Sequence, residues 1–273
     1  MTNGSITGEI ARSRDELFQP SMSARLLESF TRQLFLEAGL KPGMRILDAW
    51  SGAGDVASLA RELVGPDGYV VGFDSSAQLV AFANERAMLD GYSNLRFVEA
   101  RIEDLPFVSE FDVVVGRIVL AYREQPVRDL QALVRCLKPG GMVVFQELDH
   151  LAARTIPPVP LIDQVRGWFI EAFRRTGIEL QMGLKLHAAF RAAGLEPPRL
   201  RLDGLIGGAE STAPMLVAGV VRKLLPQIEA LGLATAEEVQ IETLEERMRL
   251  ELARTGAIMQ TSLVIGAWTR RAT

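Results

Sequence analysis

At 273 residues, with 48% hydrophobic and 23% charged content, the chain can bury a full α/β core with appended helices and needs no covalent staple. A net charge of −4 without a basic stripe among aromatics excludes nucleic acid as an expected partner, and one cysteine excludes an internal disulfide. Two histidines, His150 and His187, with no Cys–His cluster give no ligand set for a metal. The opening Met1-Thr-Asn-Gly-Ser5 lacks the basic and apolar regions of a secretory leader, and no run of about 18 apolar residues occurs, so no membrane insertion and a cytoplasmic location are expected.

In chain order, helices are predicted near 22–39, 54–64, 76–90 and 126–137, and strands near 45–49, 69–74, 95–99, 111–116 and 141–148. This alternation is the pattern of a doubly wound parallel sheet. Cys136 sits in a helical run and reads as a small buried hydrophobe, since no base lies near it to activate a thiol. After His150 the character changes. Thr155-Ile-Pro-Pro-Val-Pro160 is an extended connector, and the helix after it carries Ile162, Val165, Phe169, Ala172 and Phe173 on one face with Trp168 at its edge. Further elements follow: a helix near 184–193, a strand near 199–206, helices near 212–231 and 236–254, and a last strand from Ser262 to Thr269. Thr235 and Glu238 form a capping box for the second helix of that pair.

The chemistry is concentrated in Arg45-Ile-Leu-Asp-Ala-Trp-Ser-Gly-Ala-Gly-Asp-Val-Ala57, a buried strand ending in an acid, two glycines and a helix start. Gly52 and Gly54 allow a sharp turn and close approach of a ligand to free N–H groups. A second buried strand ends at Asp74, 74 − 54 = 20 residues beyond Gly54, where a ribose-binding acid belongs in a βαβ unit. Gly52-Ala-Gly-Asp-Val-Ala57 also satisfies the nicotinamide fingerprint, so an NAD-dependent dehydrogenase is a rival. Asp48 disfavours it: a carboxylate four residues before Gly52 would repel a diphosphate and suits an ammonium group.

These residues resemble the class I S-adenosylmethionine-dependent methyltransferases, whose turn reads Asp-x-Gly-x-Gly-x-Gly. Phe97-Val-Glu-Ala-Arg-Ile-Glu-Asp-Leu-Pro-Phe107, Phe111-Asp-Val-Val-Val-Gly-Arg117 and Leu137-Lys-Pro-Gly-Gly-Met-Val-Val-Phe145 are similar to the family's third, fourth and fifth strand segments, and the menaquinone and ubiquinone small-molecule branch looks closest. The resemblance implies a Rossmann-like seven-stranded sheet, mostly parallel with an antiparallel last strand, plus a helical lid and insertion. It implies a lid segment over 1–40, a cofactor-binding core over 41–150, a lid helix over 151–183, and the rest of the sheet over 184–273 with a helical insertion at 211–256.

The resemblance also implies S-adenosyl-L-methionine as cofactor, held by Asp48, Trp50, Gly52, Gly54, Asp74, Ser75, Ile102, Glu103 and Arg117. Trp50 departs from the pattern by standing where the family has its first glycine, and Arg101 stands where an adenine-binding aspartate is common, with Glu103 as the substitute. The acceptor is expected to be a hydrophobic small molecule methylated on oxygen or carbon, with a homodimer compatible. His150 is the expected general base, while Tyr122, Glu147 and Trp168 are candidates for the acceptor side. Trp50 keeps open a cofactor-binding cyclase or regulatory protein that moves no methyl group. Residues 1–21 and the connector from Thr155 are expected to order when ligands bind.

Overall fold

The structure, a computed structural model, describes residues 22–272. Helix α1 (Met22–Ala38) leads into an alternating series: β1 (Arg45–Ala49), α2 (Asp55–Val64), β2 (Tyr69–Asp74), α3 (Ala77–Leu89), β3 (Leu95–Glu99), β4 (Phe111–Arg117), α4 (Pro126–Cys136) and β5 (Leu137–Asp149). Next come β6 (Arg154–Ile156), α5 (Pro160–Arg175), α6 (Met182–Ala192), β7 (Arg199–Asp203), β8 (Ile206–Gly207), α7 (Ala213–Ala230), α8 (Ala236–Val239), α9 (Leu244–Thr255), β9 (Ile258–Gln260) and β10 (Leu263–Arg270). Seven strands form one sheet in the order β3-β2-β1-β4-β5-β10-β7, with β10 antiparallel to both of its neighbours. The strand order reverses between β1 and β4, and in such sheets ligands lie beyond the carboxyl ends of the strands at that reversal.

The central strands read as continuous apolar runs because helices cover both faces. On one face Ile46, Val70, Val113, Val115 and Val144 pack under α1, α2 and α3; on the other Leu47, Val71, Val114, Val143 and Phe145 pack under α4, α5 and α6. Cys136 belongs to the second core and is 1% exposed, and burial pushes its thiol up to about 11, consistent with an inert packing residue.

The C-terminal part departs from the predicted elements in four ways. A separate three-stranded antiparallel sheet, β6-β9-β8, splits the strand expected over 199–206 into β7 in the large sheet and β8 in the small one. The helix expected over 236–254 breaks at Gln240, whose φ of 46° ends α8 in the left-handed region, although the Thr235–Glu238 capping box forms. Helix α5 has two apolar faces rather than one: Phe169, Ile170 and Phe173 join the sheet core, while Ile162, Val165, Trp168 and Ala172 join a third core with α7 and α9. Finally, the connector is fastened by its own contacts: β6 pairs with β9, and buried Thr155 accepts the Val159 N–H through Oγ1 at 2.9 Å. The expected ordering of residues 1–21 lies outside the described residues.

Candidate active site at the carboxyl ends of the strands

The turn after β1 is built around carboxylates. Gly54, at φ 88°, caps α2 with no side-chain hydrogen bond. Asp48, 1% exposed, reaches the first turn of α2 from beneath and accepts the backbone N–H of Ala57. Burial pushes the Asp48 carboxyl up to about 8, against the pull of the Arg117 guanidinium, and its Oδ2 has no partner. Asp74 closes the turn from the neighbouring strand: Oδ2 accepts the Gly52 N–H and Oδ1 the Ser76 N–H, both at 3.0 Å. The Gly52 donor of the turn is therefore already engaged by the Asp74 carboxylate, which sets a negative charge where a diphosphate would need free N–H groups.

The two glycines have different reasons to be glycine. A Cβ on Gly52, at φ 53°, would meet nothing within 4 Å, so its face is open to a ligand. A Cβ on Gly54 would lie 2.6 Å from the Phe97 ring, so that position is closed by packing. Trp50 adopts φ 53°, the left-handed backbone that a glycine takes without cost. Its indole lies 5.6 Å from the Phe73 ring, with the Arg123 guanidinium 4.9 Å from its centroid, against the core of Leu47 and Ala49. The left-handed turn at Trp50 breaks the strand alternation and sets the indole on the Leu47 and Ala49 side, away from Asp48, which leaves the space above Gly52 clear.

Arg117, at the end of β4, stands opposite Gln146 of β5 and donates to Thr31 Oγ1 of α1 at 3.4 Å, with the charges of Asp48, Asp55 and Glu28 around it. It is part of a polar layer under α1. Gln146 is buried in the same layer with its Oε1 2.8 Å from Thr31 Oγ1, and its Nε2 has no partner. Beyond Ser75, a cleft of about 650 Å³ is walled by Val98, Ala100, Arg101, Asp104 and Phe107. Ile102 is buried in the core, and Glu103 points to solvent in an exposed ion pair with Arg101 at 3.6 Å. The acids in the cleft wall are Glu99 and Asp104, not Glu103. Glu103 and Asp104 belong to one short 3₁₀ turn, and sequence carried no signal for which of the two adjacent acids faces inward.

The groups expected on the acceptor side divide. Glu147, at the end of β5, is fully buried; Oε1 accepts the N–H groups of Val119 and Leu120 at 2.8 and 2.7 Å, and Oε2 has no partner. Burial pushes its carboxyl up to about 7. Tyr122, 36% exposed, follows on the same loop, and burial of its hydroxyl, with the Glu147 charge second, pushes it up to about 12. His150 packs against Phe169 and Phe173, with Nδ1 3.0 Å from Ser262 Oγ, and burial pulls its imidazole down to about 4. It is neutral at physiological pH but far below the basicity expected of a general base there. Trp168 is 8% exposed in the third core, among Ile162, Val165 and Val221.

Residues 40–170 match the family model described as a methyltransferase domain. Over this stretch the chain is similar to the methyltransferases. The family's methyl donor is S-adenosylmethionine, and the partnerless Asp48 Oδ2, the open face of Gly52 and the Asp74–Ser75 corner fit such a group. Among curated relatives, the ubiquinone/menaquinone biosynthesis C-methyltransferase UbiE of Stenotrophomonas maltophilia is 32% identical over 160 residues, covering 57% of this chain and 62% of that protein. The match therefore spans less than two thirds of the relative. A SAM-dependent methyltransferase from Aquifex aeolicus has the same fold at TM-score 0.52 and 21% identity, covering 69% of this chain and 89% of that one. The [4+2]-cyclase SpnF superposes at TM-score 0.55 with 19% identity over 91% of this chain and 83% of its own.

Proposed function

We propose that the chain transfers the methyl group of S-adenosylmethionine to a carbon or oxygen of a hydrophobic small molecule. The observation that carries this reading is the occupation of the glycine turn by Asp48 and Asp74, which suits a cationic sulfonium amino acid and opposes the dinucleotide of a dehydrogenase. When bound, the cofactor supplies an electrophilic methyl group for in-line displacement. Asp48 holds the cofactor's ammonium through Oδ2, Asp74 and Ser75 meet the ribose, and Asp104 stands at the cleft where a base would lie. The protein's main contribution is alignment, which can lower a barrier by roughly 7–11 kcal/mol at the upper end.

Of the titratable groups at the strand ends, Glu147 rather than His150 matches the basicity that receiving an acceptor proton requires, and its Oε2 has free lone pairs. Calorimetry with S-adenosylmethionine and with NAD tests the reading. Binding of the first and not the second is expected, with Asp48→Asn weakening it by about 1.5–3 kcal/mol through loss of a charged hydrogen bond. Transfer of labelled methyl groups to a panel of quinols and phenols, with a rate that rises with pH through about 7, would identify Glu147 as the base. Tight NAD binding with no response to the sulfonium would overturn the proposal. The packing of Trp50 against Phe73 keeps the indole out of the turn and favours methyl transfer over the non-methylating alternative.

A further inference from the structure

The two edges of the seven-stranded sheet differ in what they offer a partner. Edge strand β7 pairs on one side only, with β10, so its outer N–H and C=O groups have no strand partner among the described residues. Leu200 and Leu202, in register with Ala267 and Ile265 of the core, are 52% and 62% exposed. Arg199, Arg201 and Asp203 alternate onto the other face, where Arg201 is held by Glu37 of α1 with its guanidinium 5.5 Å from the Phe30 ring.

We propose that β7 is the seam of a two-fold homodimer, in which β7 of one copy pairs antiparallel with β7 of a second copy, centred on Arg201. A two-fold seam must set residues of the same face opposite each other, which restricts the centre to one residue of the strand. Centred on Arg201, Arg199 lies opposite Asp203 twice and Leu200 opposite Leu202 twice, so both faces are complementary. Centred on Leu200, the pairing would oppose Arg199 to Arg201 and draw Pro198, which lacks an N–H, into the ladder. Centred on Leu202, it would leave Leu200 facing Gly204.

The one like-charged juxtaposition, Arg201 with itself, is neutralised on each copy by Glu37. Charged residues normally blunt a sheet edge against unrelated strands. Here they reject strangers and accept a copy, which supplies specificity as well as contact. The same operation on the opposite edge, centred on Phe97, would set Leu95 against Glu99 and Arg96 against Val98, and Arg96 and Val98 line the cleft. That edge is not self-complementary.

Light scattering behind size exclusion on the full chain tests the seam. The native chain is expected to elute as a dimer, Arg199→Asp and Asp203→Arg each as a folded monomer with unchanged circular dichroism, and the double variant Arg199→Asp/Asp203→Arg again as a dimer. Leu202→Lys, at a side chain already exposed in one copy, is expected to give a folded monomer. A monomeric native chain, a dimer indifferent to either single swap, or a double variant that stays monomeric would each overturn the proposal.

Discussion

The strand ends of the sheet and the helical part beyond β6 solve the same packing problem with opposite treatment of polar groups. In the appended helices the core of Val165, Trp168, Val221, Leu244 and Met248 is apolar throughout, and charge is kept to exposed pairs such as Arg222 with Glu242 and Arg254 with Glu251. At the strand ends Asp48, Gln146 and Glu147 are buried, each with an atom that has no partner. Leaving such atoms unpaired costs about 1–3 kcal/mol each, and while the appended helices leave only the Nε atoms of Arg166 and Arg247 so, on side chains bonded through another nitrogen, the strand ends bury whole acids. Stability in one region and binding in the other should therefore separate under mutation.

The largest effect is expected from Trp168→Ala, which opens a cavity in the third core and should cost about 3–5 kcal/mol in chemical denaturation. Cofactor affinity of the folded variant should be unchanged. A change in affinity without loss of stability would break the division between the regions.

A smaller and pH-dependent effect is expected from Glu147→Gln. Burial raises the Glu147 carboxyl from its ordinary 4.5 to about 7, so over that range the folded protein holds a proton that the unfolded chain has released. The native chain accordingly loses stability from this group as pH rises through that window, by about 3 kcal/mol at most. Asp48, raised from 3.8 to about 8, adds a loss of the same sign, while His150, lowered from 6.5 to about 4, adds a gain as pH rises from about 4 to 6.5. Denaturation at pH 5 and pH 8 should show Glu147→Gln gaining on the native chain at the higher pH. An equal difference at both would place the Glu147 carboxyl at its ordinary value.

The smallest effect is expected from Trp50→Gly. It deletes the contacts with Phe73 and Arg123 but releases a left-handed backbone that costs a non-glycine residue of order 1–3 kcal/mol. The net loss should stay under about 2 kcal/mol, below that of Trp168→Ala, with cofactor affinity unaltered. Tighter cofactor binding would show that the indole obstructs the turn and would return weight to the non-methylating reading.

The strands and helices from Arg45 to Phe145 were legible because each strand is long, apolar and bounded by glycine or an acid, so period and punctuation agree. Strands β6 and β8, of three and two residues, are too short to carry a period and were missed, and the break at Gln240 has neither glycine nor proline to announce it. The cofactor turn and Asp74 follow from spacing. The rank order of His150 and Glu147 does not, because burial decides their basicity and becomes visible only when Phe169 and Phe173 are seen around one and the 119–120 backbone around the other. The packing of Trp168 was not legible because a residue at the margin of one helical stripe can be the centre of a second.

Phe97 makes the turn and the cleft a single mechanical unit. Its ring closes the space beside Gly54 and also beside Gly72, where an added Cβ would lie 2.5 Å away, and the Asn84 side chain ties its backbone N–H and C=O at 2.9 Å each. With the Phe97 backbone held, a larger residue at either glycine meets the ring first, on the strand that carries Arg96 and Val98 of the cleft wall. Attempts to reshape this site for another nucleoside would therefore have to begin with the ring of Phe97, before either glycine or any residue that meets the ligand is altered.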